Sequence, residues 1–207
     1  MAKKMNTKEK VLKAASKVFS ENGYKETTVR MISEKAGVNV ASVNYYFGDK
    51  EQLYLEVIRF WAKDAFRDFP AEALSSGDLT PEEKIRQFIY YTLLCLLGKD
   101  GKGTGFGRLM ALEASISPSG VVHQVITETI RHPTEQLYKA VSQMLSTNDV
   151  DRIKAYTAAI VGQTVYFYLS KNLISDLFGI RMPASKEEIQ TLGGYLADFA
   201  IKAVTAA

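Results

Sequence analysis

Apolar residues recur with a period near 3.6 through nearly every segment of this chain, and glycine, proline and short capping residues separate the segments. Val11, Leu12, Ala15, Val18 and Phe19 form one stripe over about Thr7 to Glu21, with Lys8, Lys10, Lys13 and Lys17 left outside it, and Asn22-Gly23 supplies a stop. A second helix is predicted from Thr28 to Ala36, with Val29, Ile32 and Ala36 inward, a threonine capping its first amides and Gly37 ending it. A third, of about two turns, carries Val40, Val43 and Phe47 on a packing stripe, while Ser42, Asn44, Tyr45 and Tyr46 spread around the remaining surface. Asp49 is placed to cap a fourth helix starting at about Lys50, with Leu53, Val57, Ile58, Trp61 and Ala65 inward.

The remainder reads the same way. Thr80 before Pro81-Glu82-Glu83 is a helix start, and a helix is predicted over Pro81 to Leu97. The glycine-rich run Gly98 to Gly107 fits neither phosphate-loop pattern and follows a helix rather than a strand, so it reads as a flexible connector. A short helix is expected over Arg108 to Ser117 and a long one from about Val121 to Ser146, which Pro133 should kink or break near Arg131-His132. Val150 to Phe178 continues in one helical pattern, and Ser185 caps a last helix over Glu187 to Ala203. Nothing reads as a sheet or as an internal repeat. The expected fold class is all-α.

Charge sharpens this picture. The net charge is only +3, but residues 1 to 50 hold ten Lys/Arg against five Asp/Glu, so the excess of positive charge lies at the N-terminal end. Such a patch attracts phosphates, although a membrane surface or a solvated face would fit it equally well on its own. The single cysteine, Cys95, lies in an apolar run, which excludes an internal disulfide and reads as an inert buried thiol in a reducing compartment. No signal peptide and no apolar stretch of spanning length is evident, so a soluble cytoplasmic protein is expected.

Helix, glycine-containing turn and helix from Thr28 to Phe47 is the sequence form of a helix-turn-helix. The stretch from Lys8 to Tyr54 resembles the DNA-binding region of the TetR family of bacterial transcriptional regulators, through Ala36-Gly37-Val38, Tyr46-Phe47 and Lys50-Glu51-Gln52-Leu53. Asn44 stands where many members carry Tyr, and the run Asn44-Tyr45-Tyr46-Phe47-Gly48 resembles the branch with a CecR-type ligand-binding region. The resemblance implies a helix-turn-helix domain over residues 1–50, a helical ligand-binding and dimerisation domain over 51–207, and a role in DNA binding and transcription regulation. It maps the DNA-facing positions onto Thr28, Asn39, Val40, Ala41, Ser42, Asn44, Tyr45, Tyr46 and Lys50. The chemistry of these side chains suits a major groove. Ala41 and Ser42 permit close approach, Val40 or Ala41 can meet a thymine methyl, Asn44 can pair with adenine, and Arg30 and Lys50 add charge for phosphates.

One short reading helix selects too little, so a homodimer reading two half-sites of a palindromic operator is expected. Its interface is assigned to Ala155, Ala159, Gly162, Leu192 and Leu196, on helices whose small residues allow close approach. The family implies a small-molecule effector pocket between its helices five and eight, and Arg108, Glu113, His123, Arg131, Gln163 and Tyr166 are polar groups on otherwise apolar helices that could line one. The function expected is a ligand-responsive repressor released from its operator by a small molecule; the alternative is a helical protein-interaction module with an incidental basic face. An enzyme is not expected: His123 and His132 fall on opposite helix faces, no cluster has metal-ligand spacing, and neither serine nor cysteine sits in a nucleophile motif, so no cofactor is assigned.

Overall fold

The computed structural model describes residues 6–67, 74–75, 78–98, 104–108, 111, 120–183 and 185–207, and every regular element among them is helical. The chain forms two compact units, the first drawn from residues 1–64 and 108–125, the second from 65–107 and 126–207. In the first, α1 (Thr7–Glu26), α2 (Val29–Ala36), α3 (Val40–Phe47) and α4 (Lys50–Ala65, grouped as far as Asp64) surround one small core. Val11, Ala15, Phe19, Ile32, Val43, Phe47, Leu53, Val57 and Ile58 are buried there. These are largely the positions that helical periodicity points inward, because each helix has only one apolar stripe to hide. The expected boundary at residue 50 falls at the start of α4, whereas Tyr54 packs on Phe19 with ring centroids 4.7 Å apart and Trp61 donates to Ser16 Oγ at 2.6 Å. Aromatic packing and this hydrogen bond thus join α4 to α1.

Local chemistry sets the helix ends. Asn6 opens α1 with a capping box, its side chain accepting from the Glu9 amide while Glu9 accepts from the Asn6 amide. Gly23 leaves helical geometry inside α1, as the predicted stop requires, and Thr27 donates to the Gly23 carbonyl it frees. Asp49 caps α4 by accepting from the Gln52 amide at 2.8 Å.

In the second unit α5 (Pro81–Leu97) packs against α7 (Val150–Leu169) and α9 (Lys186–Thr205), with α6 (Gly120–Leu145, from Ile126 onward) and α8 (Lys171–Phe178) completing the described helices. Ile85, Phe88, Ile89, Leu93, Cys95, Leu96 and Leu97 of α5 are buried. Thr80 and Ser185 cap α5 and α9 as predicted. Gly193 faces α5, where a Cβ would rest in ordinary contact 3.5 Å from the Tyr90 Cα. Arg86 pairs with Asp198 across the same seam at 2.6 Å.

Three expectations change. Val150 to Phe178 is two helices, because Ser170 leaves helical geometry and α8 restarts from its carbonyl; the polar run Ser170-Lys171-Asn172 favours such a local break. Conversely, α6 runs unbroken past Pro133. Pro133 removes the backbone bond to the Thr129 carbonyl, but it is buried, and packing holds the helix there; the next residue, Thr134, donates its hydroxyl to the Ile130 carbonyl at 2.8 Å. Finally, the later part of the Gly98 to Gly107 connector is fixed rather than free. Thr104 bonds to the Leu96 and Cys95 carbonyls and receives the Gly107 amide. Most of the expected helix Arg108 to Ser117 lies outside the described residues.

Candidate nucleic-acid interface

The turn between α2 and α3 is tightly specified. Gly37 adopts the left-handed conformation, φ 66° and ψ 38°, in which its own amide bonds the Glu34 carbonyl and the Val38 amide reaches back to Ser33 at 3.0 Å. This is a Schellman closure, and it satisfies carbonyls that the end of α2 would leave bare. Two residues later Asn39 opens α3. Its Oδ1 accepts from the Ser42 amide at 2.7 Å and from the Ser42 hydroxyl at 2.8 Å. At the other helix start, the Thr28 hydroxyl accepts from the Met31 amide at 3.2 Å. Thr28, Asn39 and Ser42 are all expected at DNA; the geometry shows that each also holds a helix end. Asn39 retains its amide N–H groups and Ser42 its two hydroxyl lone pairs for an outside partner.

Only one face of α3 is spent on the core. Val43 and Phe47 are buried, whereas Ala41, Asn44, Tyr45 and Tyr46 are exposed. Val40, expected on the packing stripe as well as at DNA, is also exposed, because the cap at Asn39 turns the first residue of α3 outward. Tyr45 is 83% exposed and meets the Tyr46 ring edge-on at 5.1 Å. A rigid, solvent-facing phenol on a two-turn helix is suited to donate to phosphate or a base edge.

The two cations are placed differently from each other. Arg30 is exposed and forms an i,i+4 pair with Glu34 at 2.9 Å, which water screens and which a phosphate could displace. Lys50 turns back on its own unit. Its ammonium donates to the Tyr24 and Thr27 carbonyls, both at 3.0 Å, and lies 4.3 Å from the Tyr24 ring centroid. Burial first, and then the Glu51 and Asp49 charges, push the Tyr24 phenol above its ordinary value. Lys50 therefore anchors the end of α1 and keeps one N–H for a phosphate.

The ligand candidates are distributed over both units, Arg108 and His123 in the first and Arg131, Gln163 and Tyr166 in the second. Glu113 lies outside the described residues. Arg108 lines a groove of the first unit, His123 and Arg131 are exposed, Gln163 donates to the Leu196 carbonyl at 3.3 Å, and Tyr166 is exposed on α7. A polar residue among apolar neighbours in sequence can equally mark a helix's outer face, and that is where most of these fall.

The dimer candidates divide. Ala155, Ala159 and Gly162 share an exposed stripe of α7, and Leu192 is half-buried. Leu196 is only 8% exposed where α7 and α9 meet, and it lies in the lining of the apolar groove that Tyr195 and Phe199 also border. The exposed apolar groups of α9 are its neighbours Tyr195 and Phe199, at 70% and 69%. Leu173, Leu177 and Phe178 of α8 are also exposed. Tyr195, Leu192 and Phe199 line an open apolar groove of about 590 Å³ together with Phe167, Ile180 and Pro183. Aromatic residues at i and i+4 are the signal for this face in the sequence.

Comparison with known proteins agrees with this arrangement. Residues 11–57 match the family model for bacterial regulatory proteins of the tetR family, and residues 81–204 match that for the C-terminal domain of the HTH-type transcriptional dual regulator CecR. CecR of Shigella flexneri is 29% identical over 176 residues, which cover 81% of this chain and 78% of that protein. Two solved structures share the fold at 17% identity. FadR of Bacillus subtilis in complex with stearoyl-CoA has a TM-score of 0.68 over 93% of this chain and 96% of its own. AibR in complex with isovaleryl coenzyme A and operator DNA has a TM-score of 0.65 over 93% and 97%. The helix-turn-helix and the all-α body are thus those of a transcriptional regulator rather than an enzyme. The chain belongs to the TetR family, in the branch with a CecR-type C-terminal domain. Among the described residues no helix is long and apolar enough to cross a membrane.

Proposed function

We propose that this regulator binds a palindromic operator as a homodimer and is released by a small organic effector, acting as a repressor. The observation that carries the reading is the division of α3: Val43 and Phe47 hold it to the core while Val40, Ala41, Asn44 and Tyr45 stand free on a helix capped through Asn39 and Ser42. A helix of this length fits the major groove, and two copies about 34 to 36 Å apart read successive turns. The exposed Ala155, Ala159, Gly162 stripe and the aromatic face of α9 support pairing through the second unit, since exposed apolar surface of this extent is rare on a monomer. The acyl-CoA esters held by FadR and AibR define the first effector class to test, and the complex of AibR with operator DNA is a precedent for the pairing of functions.

The test is fluorescence anisotropy on the DNA flanking the protein's own gene. Tight, strongly salt-dependent binding to a palindromic duplex, weakened by an acyl-CoA or another small molecule, is the expected result. Equal affinity for random duplex points instead to a helical interaction module. Undiminished operator binding across an effector screen removes the release step, because a ligand shifts this equilibrium only through different affinities for free and DNA-bound protein.

A further inference from the structure

We propose a second ligand site, for a nucleoside phosphate, in the groove between α1 and α4. It is lined by one face of α1 from Glu9 to Ser20, by Phe60 of α4 and by Arg108, with a volume of about 600 Å³. The lining residues from α1 recur at helical spacing, so a single face of that helix looks into the groove for its whole length. Glu9 to Ser20 spans eleven residues, about 16 Å at helical rise, which is enough for a nucleoside and its phosphates laid end to end.

Each part of such a ligand has a partner of matching chemistry. Lys13, Lys17 and Arg108 place three cations against the single carboxylate of Glu9. Lys13 has no ion-pair or hydrogen-bond partner among the described residues, and the Lys17 pair with Glu21 is long, at 3.9 Å, and exposed, so both ammonium groups can turn to a phosphate. Arg108, itself already engaged, adds positive charge at the groove wall. Ser16 Oγ accepts the Trp61 indole N–H, which leaves its own proton to donate into the groove. Phe60 is 43% exposed although it lies one residue from buried Trp61, and its ring offers a stacking surface beside the cations. The Glu9 carboxylate, held at the helix start by the Asn6 amide, can accept from a ribose hydroxyl.

These lysines are thereby separated from the reading helix: α3 contributes none of the groove's lining residues. Because α1 packs on α2 and α3, a ligand wedged against α1 and α4 acts on the same small core that presents α3. The site goes beyond the operator reading above and does not depend on it.

Trp61 is the chain's single tryptophan, and its hydrogen bond to Ser16 makes its fluorescence a direct reporter of the groove. Full-length protein is titrated with ADP, adenosine and pyrophosphate, and operator affinity without nucleotide is measured in parallel. ADP should give a saturable change below about 1 mM, with adenosine and pyrophosphate each at least tenfold weaker. Lys13→Gln/Lys17→Gln should weaken ADP at least tenfold, whereas the charge-matched Lys10→Gln/Lys25→Gln should not. Phe60→Leu should weaken ADP but not pyrophosphate. All are surface changes, and an unaltered circular dichroism spectrum accompanies each comparison. The proposal is overturned if ADP gives no saturable change, if pyrophosphate binds as well as ADP, or if both lysine pairs weaken ADP equally. It is also overturned if Lys13→Gln/Lys17→Gln weakens only DNA, which would make these lysines operator contacts.

Discussion

Asn39 Oδ1 accepts both the amide and the hydroxyl of Ser42, at 2.7 and 2.8 Å, so one side chain starts the reading helix and orients the hydroxyl beside it. The two roles separate by mutation. Asn39→Ala removes the cap and should destabilise the DNA-binding unit by about 1 kcal/mol. Ser42→Ala keeps the amide bond and should leave the thermal midpoint nearly unchanged while weakening operator binding. Thermal denaturation followed by operator titration checks both. Equal stability losses for the two variants would show that the hydroxyl is structural only.

Lys50 provides the second separation. Two of its ammonium hydrogens are committed to the Tyr24 and Thr27 carbonyls, and Lys50→Met leaves both acceptors without that donor. The site is partly exposed, which moderates the loss to about 1 kcal/mol. If the third hydrogen also reaches a phosphate, the salt slope of operator binding should fall by roughly one unit on substitution. Denaturation without DNA and a salt titration with it measure these independently. An unchanged salt slope would confine Lys50 to holding α1.

How far these features are legible in the sequence depends on how local they are. Thr28, Asp49, Thr80 and Ser185 all cap where the sequence says they should, because a cap needs only a polar side chain and an amide two or three residues away. The stop at Gly37 and the buried stripe Leu53, Val57, Ile58 and Trp61 are legible for the same reason. Lys50 is not: its carbonyl partners lie 23 and 26 residues earlier, and nothing in the chain near residue 50 announces them. Leu196 and Tyr195 show the same limit. Both sit on an amphipathic helix and line one groove, and only the packing of α9 on α5 and α7 decides that Leu196 lies deep while Tyr195 stands out. The Gln163 bond to the Leu196 carbonyl is hidden for the same reason, since its partner lies 33 residues away in the chain.

Gly107 is a position whose importance is invisible in a run that reads as a glycine-rich connector. A Cβ there would collide with the Leu96 carbonyl oxygen and lie 3.0 Å from the Tyr168 ring. One of these neighbours is backbone at the end of α5 and cannot swing aside. Gly107→Ala should therefore cost about 1 to 3 kcal/mol, the range for forcing volume into a packed site. Gly162→Ala is the internal comparison, because nothing lies within 4 Å of a Cβ there and its helical position favours alanine. Denaturant titration of the two variants should move in opposite directions. A neutral Gly107→Ala would mean that the contact yields at little cost.

Tyr195 and Phe199 carry the last prediction. Each is about two-thirds exposed or more, and they stand one helical turn apart on the same wall of the α9 groove. Pairing of two subunits would remove these rings from water, and each good-sized apolar side chain buried this way contributes roughly 1.5 to 3 kcal/mol. A carboxylate at either position would carry its desolvation cost into the interface, twice per dimer by symmetry. Tyr195→Asp/Phe199→Asp should therefore shift the protein toward monomer by at least tenfold in dissociation constant while leaving the subunit folded, since neither ring belongs to its core. Analytical ultracentrifugation measures the shift, and circular dichroism checks the fold. Leu196→Asp is the contrasting variant: its side chain is buried inside the subunit, so it should unfold the second unit rather than release an intact monomer. A double variant that remains dimeric would move the pairing surface away from this wall of α9. The exposed stripe of Ala155, Ala159 and Gly162 on α7 would then be the next place to introduce charge.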